Sequence, residues 1–257
     1  MNIRPLILIS NDDGINAPGI RTLIDVVRPL GDVMIVAPEQ SYSGMGHAVT
    51  LTTPIRLRKI TGSKEYSEYA CSGTPVDCIK LALNNLMPQK PDLIVSGINH
   101  GANSSVNIIY SGTMAAAIEG ALGGVTSVGF SLLDFSYNAD FESGKAFISK
   151  IISDILSSGY EKGSCFNVNI PAVSLDEIKG IKVCRQAKGN WIEAFDERTD
   201  PHNGKYYWLS GTFIHQEKGI ETDLWALENN YISIVPVTLD YTRHEQLNAI
   251  KNLECNV

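Results

Sequence analysis

The stretch Pro5-Leu-Ile-Leu-Ile-Ser-Asn-Asp-Asp-Gly14 decides the fold. Pro5 to Ser10 is apolar at consecutive positions, so both of its faces are to be buried, as in a parallel sheet covered by helices. The chain then leaves the strand through Asn11, two adjacent carboxylates and a glycine. Two such carboxylates repel each other and are costly to desolvate. They are either solvated turn residues with one Asp as a helix cap or the ligands of a divalent cation.

The same alternation runs outward from this point. A Pro-Gly turn precedes a helix from Gly19 to Leu30, and Asp32 to Ala37 is the second strand. A helix over Pro75 to Leu86 leads to a third strand at Leu93 to Ser96. Another helix begins near Thr113, followed by strand Val125 to Ser131, helix Ala146 to Leu156 and strand Cys165 to Ile170. This order predicts an α/β, Rossmann-like, mostly parallel three-layer sheet over residues 1–170. Beyond that the texture is β-rich, with strands at Ile181 to Arg185, Lys205 to Phe213 and Tyr231 to Val237, and a terminal helix at His244 to Leu253. Residues 171–257 are therefore expected to be an appendage to the core rather than an unrelated domain.

Composition narrows the class. With 257 residues and 44% hydrophobic content, the chain buries a core without help from disulfides or a structural metal. A formal charge of −7 argues against polymeric nucleic acid or an anionic membrane as partner. The five cysteines, Cys71, Cys78, Cys165, Cys184 and Cys255, have neither CxxC nor zinc-ligand spacing and read as buried thiols of a cytoplasmic protein. The N-terminal apolar run is broken too early for a signal peptide. Met114 to Leu133 carries Glu119 and several glycines, which argues against a membrane span.

In an open parallel sheet, ligands bind outside the carboxyl ends of the strands. After the first strand stand Asp12 and Asp13. After the second comes the polar loop Pro38 to His47, where Ser43 offers a hydroxyl beside Gly44. After the third comes Gly97 to Ser105, where Asn99 offers a carbonyl oxygen. An all-oxygen set suits Mg²⁺ or Mn²⁺ better than zinc. Ser111, Gly112 and Thr113 open the next helix, as an ordinary N-cap and also as an anion seat. Thr74, Pro75 and Asp77 open an earlier helix as a structural capping box. GxGxxG after the first strand, Walker and GxSxG motifs are absent, and Asn11-Asp12-Asp13 lacks the DxD spacing of aspartyl-phosphate phosphatases.

Taken together, Ser10-Asn-Asp-Asp-Gly14, Val36-Ala-Pro38 with Ser43-Gly44, Gly73-Thr-Pro-Val-Asp-Cys78, Ser96-Gly-Ile-Asn99 with Gly101 and Asn103, and Tyr110-Ser-Gly-Thr113 resemble the SurE family. Asn167 to Pro171, Tyr206 to Trp208, Thr222-Asp223 and Tyr231 to Pro236 extend the resemblance over nearly the whole chain. It implies a metal-dependent phosphatase of nucleoside monophosphates that holds one divalent cation with Asp12, Asp13, Ser43 and Asn99. It further implies phosphate binding by Asn103, Ser111, Gly112 and Thr113, and a homodimer or homotetramer built through C-terminal elements. Two positions depart from the family's usual pattern: Tyr42 stands where many members carry Arg, and Ala102 where Pro is frequent. The competing expectation is a nucleotide-binding or metal-sensing module without turnover.

Overall fold

Three consecutive side chains anchor the sheet. Ile7, Leu8 and Ile9 of β1 (Leu6–Ser10) are fully buried. Because strand side chains alternate, Ile7 and Ile9 enter one helical layer and Leu8 the other. Each contributes roughly 1.5–3 kcal/mol by burial. The protein is described by a computed structural model covering residues 4–63, 66–136, 138–215, 217 and 219–254. Cys255, expected to be a buried thiol, lies outside the described residues, whereas Cys71, Cys78, Cys165 and Cys184 are buried and free.

Helix α1 (Pro18–Val27) starts on a proline, whose missing N–H would be unpaired there anyway, and buries Ile20, Leu23, Ile24 and Val27 at helical spacing. After β2 (Asp32–Pro38) the chain forms a hairpin of β3 (Leu57–Gly62) and β4 (Tyr66–Cys71), which the sequence did not announce. Helix α2 (Pro75–Leu81) has the expected capping box: Asp77 N–H donates to Thr74 Oγ1 (3.2 Å) and Thr74 N–H to Asp77 Oδ2 (2.9 Å). Its predicted continuation to Leu86 is a π-helical turn, Ala82–Leu86. Then follow β5 (Leu93–His100), α3 (Gly112–Leu122), β6 (Ser127–Leu132), α4 (Lys145–Ser158), β7 (Cys165–Ile170), β8 (Ile181–Val183), β9 (Gly189–Thr199), β10 (Lys205–His215), α5 (Asp223–Glu228) and β11 (Ile232–Val237).

Nine strands form one sheet in the order β3-β4-β2-β1-β5-β6-β7-β11-β8. Only the β3–β4 and β7–β11 pairs are antiparallel. Helices α1 and α4 pack together on one face, and α2 and α3 on the other, giving the three layers expected of a Rossmann-like fold. Two strands from beyond residue 170, β8 and β11, belong to this same sheet. The separate two-stranded sheet β9–β10 is the β-rich appendage, an eleven-residue-long ribbon in full register.

The terminal segment departs from expectation. Instead of an α-helix over His244–Leu253, two short 3₁₀ segments occur, His244–Gln246 and Asn248–Leu253. Leu247, Ile250 and Leu253, spaced three apart, stay exposed. A helix this short needs tertiary packing of its apolar face to be stable, and within one chain that face has none.

Candidate active site

Strand β1 lies between β2 on one side and β5 on the other, so the connections leaving β1 and β5 diverge to opposite faces. This is the topological switch point where α/β sheets bind ligands. The loop after β1 is fastened to the loop after β2: Tyr42 N–H donates to the Asp12 carbonyl (2.8 Å) and Ile15 N–H to the Pro38 carbonyl (2.7 Å). The β2 loop in turn reaches the entrance of α3 through Gly46 N–H to the Tyr110 carbonyl (3.1 Å). Asp77 holds the far end of that loop, accepting Thr50 N–H at 3.2 Å. Tyr42 does not point a charge into the site; its hydroxyl donates to the Ser72 carbonyl at 2.9 Å.

These ties bring Asp12, Asp13, Ser43 and Asn99 together. Asp12 is 3% exposed and its Oδ1 accepts the Thr113 hydroxyl. Burial, followed by the neighbouring charge of Asp13, pushes its carboxyl up to about 6, against the pull of Thr113. Asp13 Oδ1 accepts the Ser43 hydroxyl at 3.4 Å, and Asp13 Oδ2 lies 3.3 Å from both the backbone nitrogen and Nδ1 of His100. The Asn99 amide nitrogen is committed to the carbonyls of His100 (3.0 Å) and Gly101 (2.7 Å), which leaves its oxygen for the cleft. Among the described residues, the ion pairs give neither aspartate a Lys or Arg partner. The donor set therefore fits a hard divalent cation: it is all oxygen, carries two carboxylates, and holds one of them desolvated without a cationic side chain. Among the described residues, no group of three or more His, Cys, Asp or Glu side chains gathers, so such a cation would also need the hydroxyl and amide oxygens.

Helix α3 brings its N-terminus against Asp12. Ser111 is the N-cap, its hydroxyl accepting Met114 N–H at 3.0 Å. The expected cap is present, and at the next positions Thr113 reaches Asp12 with its backbone N–H as well as its hydroxyl. Gly112 cannot be replaced without conflict, since a Cβ there would sit 2.7 Å from Asp12 Cβ and 2.8 Å from Asp12 Oδ2. Thr113 is fully buried and spends its hydroxyl on Asp12. Asn103 is placed on the cleft wall but is heavily engaged. Its N–H donates to Asn169 Oδ1 (2.7 Å), its amide to Ser131 Oγ (2.8 Å), and its carbonyl accepts Asn167 Nδ2 (2.8 Å).

Asp12, Ser43, Asn99, Asn103 and Ser111 border one cleft of about 320 Å³, walled also by Gly44, His100, Gly101, Ala102, Asn107, Tyr110, Phe135 and Trp191, whereas Asp13, Gly112 and Thr113 stand behind that lining. Sequence reasoning missed Asn107, Phe135 and Trp191. Phe135 follows β6 in a short polar loop, and Trp191 comes from the appendage, so nothing in their spacing tied them to the aspartates. Ser105 is drawn into a left-handed conformation (φ 55°), held by its N–H to Asp223 Oδ2 (2.8 Å) and its hydroxyl to the Ala187 carbonyl (2.9 Å).

Comparison with known proteins identifies the family. The family model described as "Survival protein SurE" matches residues 7–193. A protein of Flavobacterium psychrophilum named 5'-nucleotidase SurE is 52% identical over 254 residues, spanning 98% of this chain and 99% of its own. One of the same name from Bacteroides fragilis is 44% identical over 98% of this chain and 99% of its own. Among solved structures, the SurE protein from Aquifex aeolicus superposes with a TM-score of 0.84 at 38% identity, covering 98% of this chain and all of that one.

Proposed function

The chain belongs to the SurE family, and from that premise we propose that it is a 5′-nucleotidase whose reaction takes place between the Asp12–Asp13 pair and the N-terminus of α3. The observation that carries this reading is the buried Asp12, without a Lys or Arg partner, beside Asp13 and against the N-terminus of α3. An anionic phosphate would be repelled by that pair alone. One divalent cation, Mg²⁺ or Mn²⁺, held by Asp12, Asp13, Ser43 and Asn99, would supply Lewis acidity toward water and the phosphate oxygens.

The chain's own groups do the rest. The N-terminus of α3 at Ser111, Gly112 and Thr113 would seat the phosphate, with the Asn103 side chain beside it on the cleft wall. Thr113 holds Asp12 in one rotamer, and His100 holds Asp13. Water attacks phosphorus, the ester P–O bond breaks, and the nucleoside leaves with a proton. No protein nucleophile is required. Residence in the cytoplasm is supported by four buried free thiols. Among the described residues no helix is long and apolar enough to cross a membrane. Homodimeric or homotetrameric assembly through the C-terminal elements is supported by the exposure of Ile192, Phe195, Trp208 and Leu209 on the β9–β10 ribbon.

The test is phosphate release from a panel of nucleoside monophosphates and short polyphosphate with Mg²⁺ or Mn²⁺. Asp13→Asn should abolish release while leaving the thermal transition intact. Full activity in that variant refutes the site, and tight nucleotide binding by the wild type without release favours a binding module.

A further inference from the structure

The lining of the cleft has two chemically distinct parts. One part of its lining is the polar cradle of Asp12, Asn99 and Ser111. Another is aromatic, formed by Tyr110, Phe135 and Trp191, all at least 38% exposed despite their size. Large aromatic faces left open to water beside a polar site need an occupant with a flat apolar surface.

Trp191 is the best built of the three. It sits near the start of β9, and its indole Nε1–H donates to Asn107 Oδ1 at 2.8 Å, which fixes the ring over the turn between β5 and α3. Phe213, its cross-strand partner on β10, meets the ring edge to face at 5.4 Å between centroids. The ribbon reaches this position because Gly189 has no side chain; a Cβ there would sit 2.3 Å from Phe213 Cζ and 2.7 Å from Ser105 Oγ. Asp223 ties the two segments together, accepting Ser105 N–H at 2.8 Å and Ala187 N–H at 2.9 Å. The indole is thus held at its edge by a hydrogen bond and packed on one side, with part of its surface facing the cleft.

We propose that Trp191, with Tyr110 and Phe135 beside it, is the platform on which the nucleobase of the substrate stacks, making this residue a specificity determinant. The proposal rests on the nucleotidase reading, since it places the base in the same cleft as the phosphate. A base stacked here discriminates nucleotides from other phosphomonoesters without reading which base is present, because every base offers a π-face.

The experiment compares kcat/KM for adenosine 5′-monophosphate and for ribose 5-phosphate, which has no base, in wild type, Trp191→Ala, Trp191→Phe and Asn107→Ala. Stacking energies of this kind correspond to about 5- to 150-fold per base. Trp191→Ala should lower kcat/KM for the nucleotide by a factor in that range, through KM, while ribose 5-phosphate changes less than about twofold. Trp191→Phe should recover most of the loss, although it lacks the indole N–H, and Asn107→Ala should fall between. An equal loss on both substrates, or none on the nucleotide, overturns the platform. Wild-type protein that hydrolyses neither substrate refutes the nucleotidase reading instead. The platform is then judged by fluorescence in Trp208→Phe/Trp225→Phe protein, where the nucleotide but not ribose 5-phosphate should quench Trp191. Absence of quenching overturns it.

Discussion

Replacing Asp12 with Asn should stabilise the metal-free protein while destroying its activity. In the fold this carboxyl titrates near 6, against 3.8 in the unfolded chain, because burial and the charge of Asp13 disfavour its ionised form. The unfolded state therefore releases its proton first as pH rises. Between pH 4 and 6 the native state holds the extra proton, so stability falls with rising pH, and the full penalty is present above 6. At 1.36 kcal/mol per unit, a rise of about two units costs about 3 kcal/mol at pH 8. For a chain of this size each kcal/mol moves the transition by about 2–4 °C, so Asp12→Asn should melt about 6–12 °C higher than wild type in EDTA at pH 8. At pH 4 the difference should nearly vanish, because wild-type Asp12 is then protonated in the folded protein. The assay is scanning calorimetry of both proteins in chelator across pH 4 to 8, followed by addition of Mn²⁺ at pH 8. The cation should raise the wild-type transition and leave Asp12→Asn almost unmoved. A difference between the proteins that is flat across pH, or an Asn variant less stable at pH 8, refutes the account of Asp12 as a desolvated, uncompensated charge.

Three further outcomes are expected. Gly112→Ala forces a Cβ to within 2.7 Å of Asp12, whose side chain Thr113 holds in place; phosphate release should fall at least about a hundredfold, with about 1–3 kcal/mol lost in a denaturant melt, and unchanged activity would contradict the packing described. His100→Ala removes a side-chain contact to Asp13, so calorimetric titration should show Mn²⁺ binding weaker by about 10- to 100-fold; unaltered affinity would show that Asp13 is oriented by backbone alone. Glu68, buried and hydrogen-bonded to Arg21 and Tyr66, has its carboxyl held below the usual value. Its contribution is present above pH 4.5 and lost as pH falls further. Glu68→Gln should therefore narrow the stability gap to wild type under acid, and a gap independent of pH would exclude the ion pair as its source.

The catalytic half of the fold was legible because its strands are buried on both faces. Ile7-Leu8-Ile9 and Leu93-Ile94-Val95 cannot be read as anything amphipathic, and their position fixes the loops that carry Asp12, Asp13 and Asn99. Capping logic worked for the same reason at Thr74 and Ser111, where short-range hydrogen bonds decide the geometry. The misses share a different physics. Strand β3 (Leu57–Gly62) lies at a sheet edge with Arg58, Lys59 and Ile60 exposed and only Leu57 packed on the core, so no continuous apolar run marked it. Strand β9 carries Glu193, Asp196, Glu197 and Arg198 in a ribbon that has solvent on both sides. Helix α5 spans only Asp223–Glu228 and is held by a buried aspartate rather than by periodicity. Trp191 reaches the cleft through tertiary contacts alone, which no local pattern encodes.

The position of β1 has a consequence for biosynthesis. Its partner β2 emerges from the ribosome soon after it, but β5, which closes its other side, begins 86 residues after Ile7 at Leu93. At about 5–20 residues per second, that edge stays open for roughly 4–17 s of translation. For that interval a strand of Ile-Leu-Ile offers an unpaired row of backbone groups to any other chain, the situation that favours misassembly. The Asp-Asp step directly after it introduces two like charges at the end of this sticky segment. The residues proposed to hold a cation would thus first discourage association between nascent chains, so neutralising both would be expected to lower soluble yield as well as catalysis.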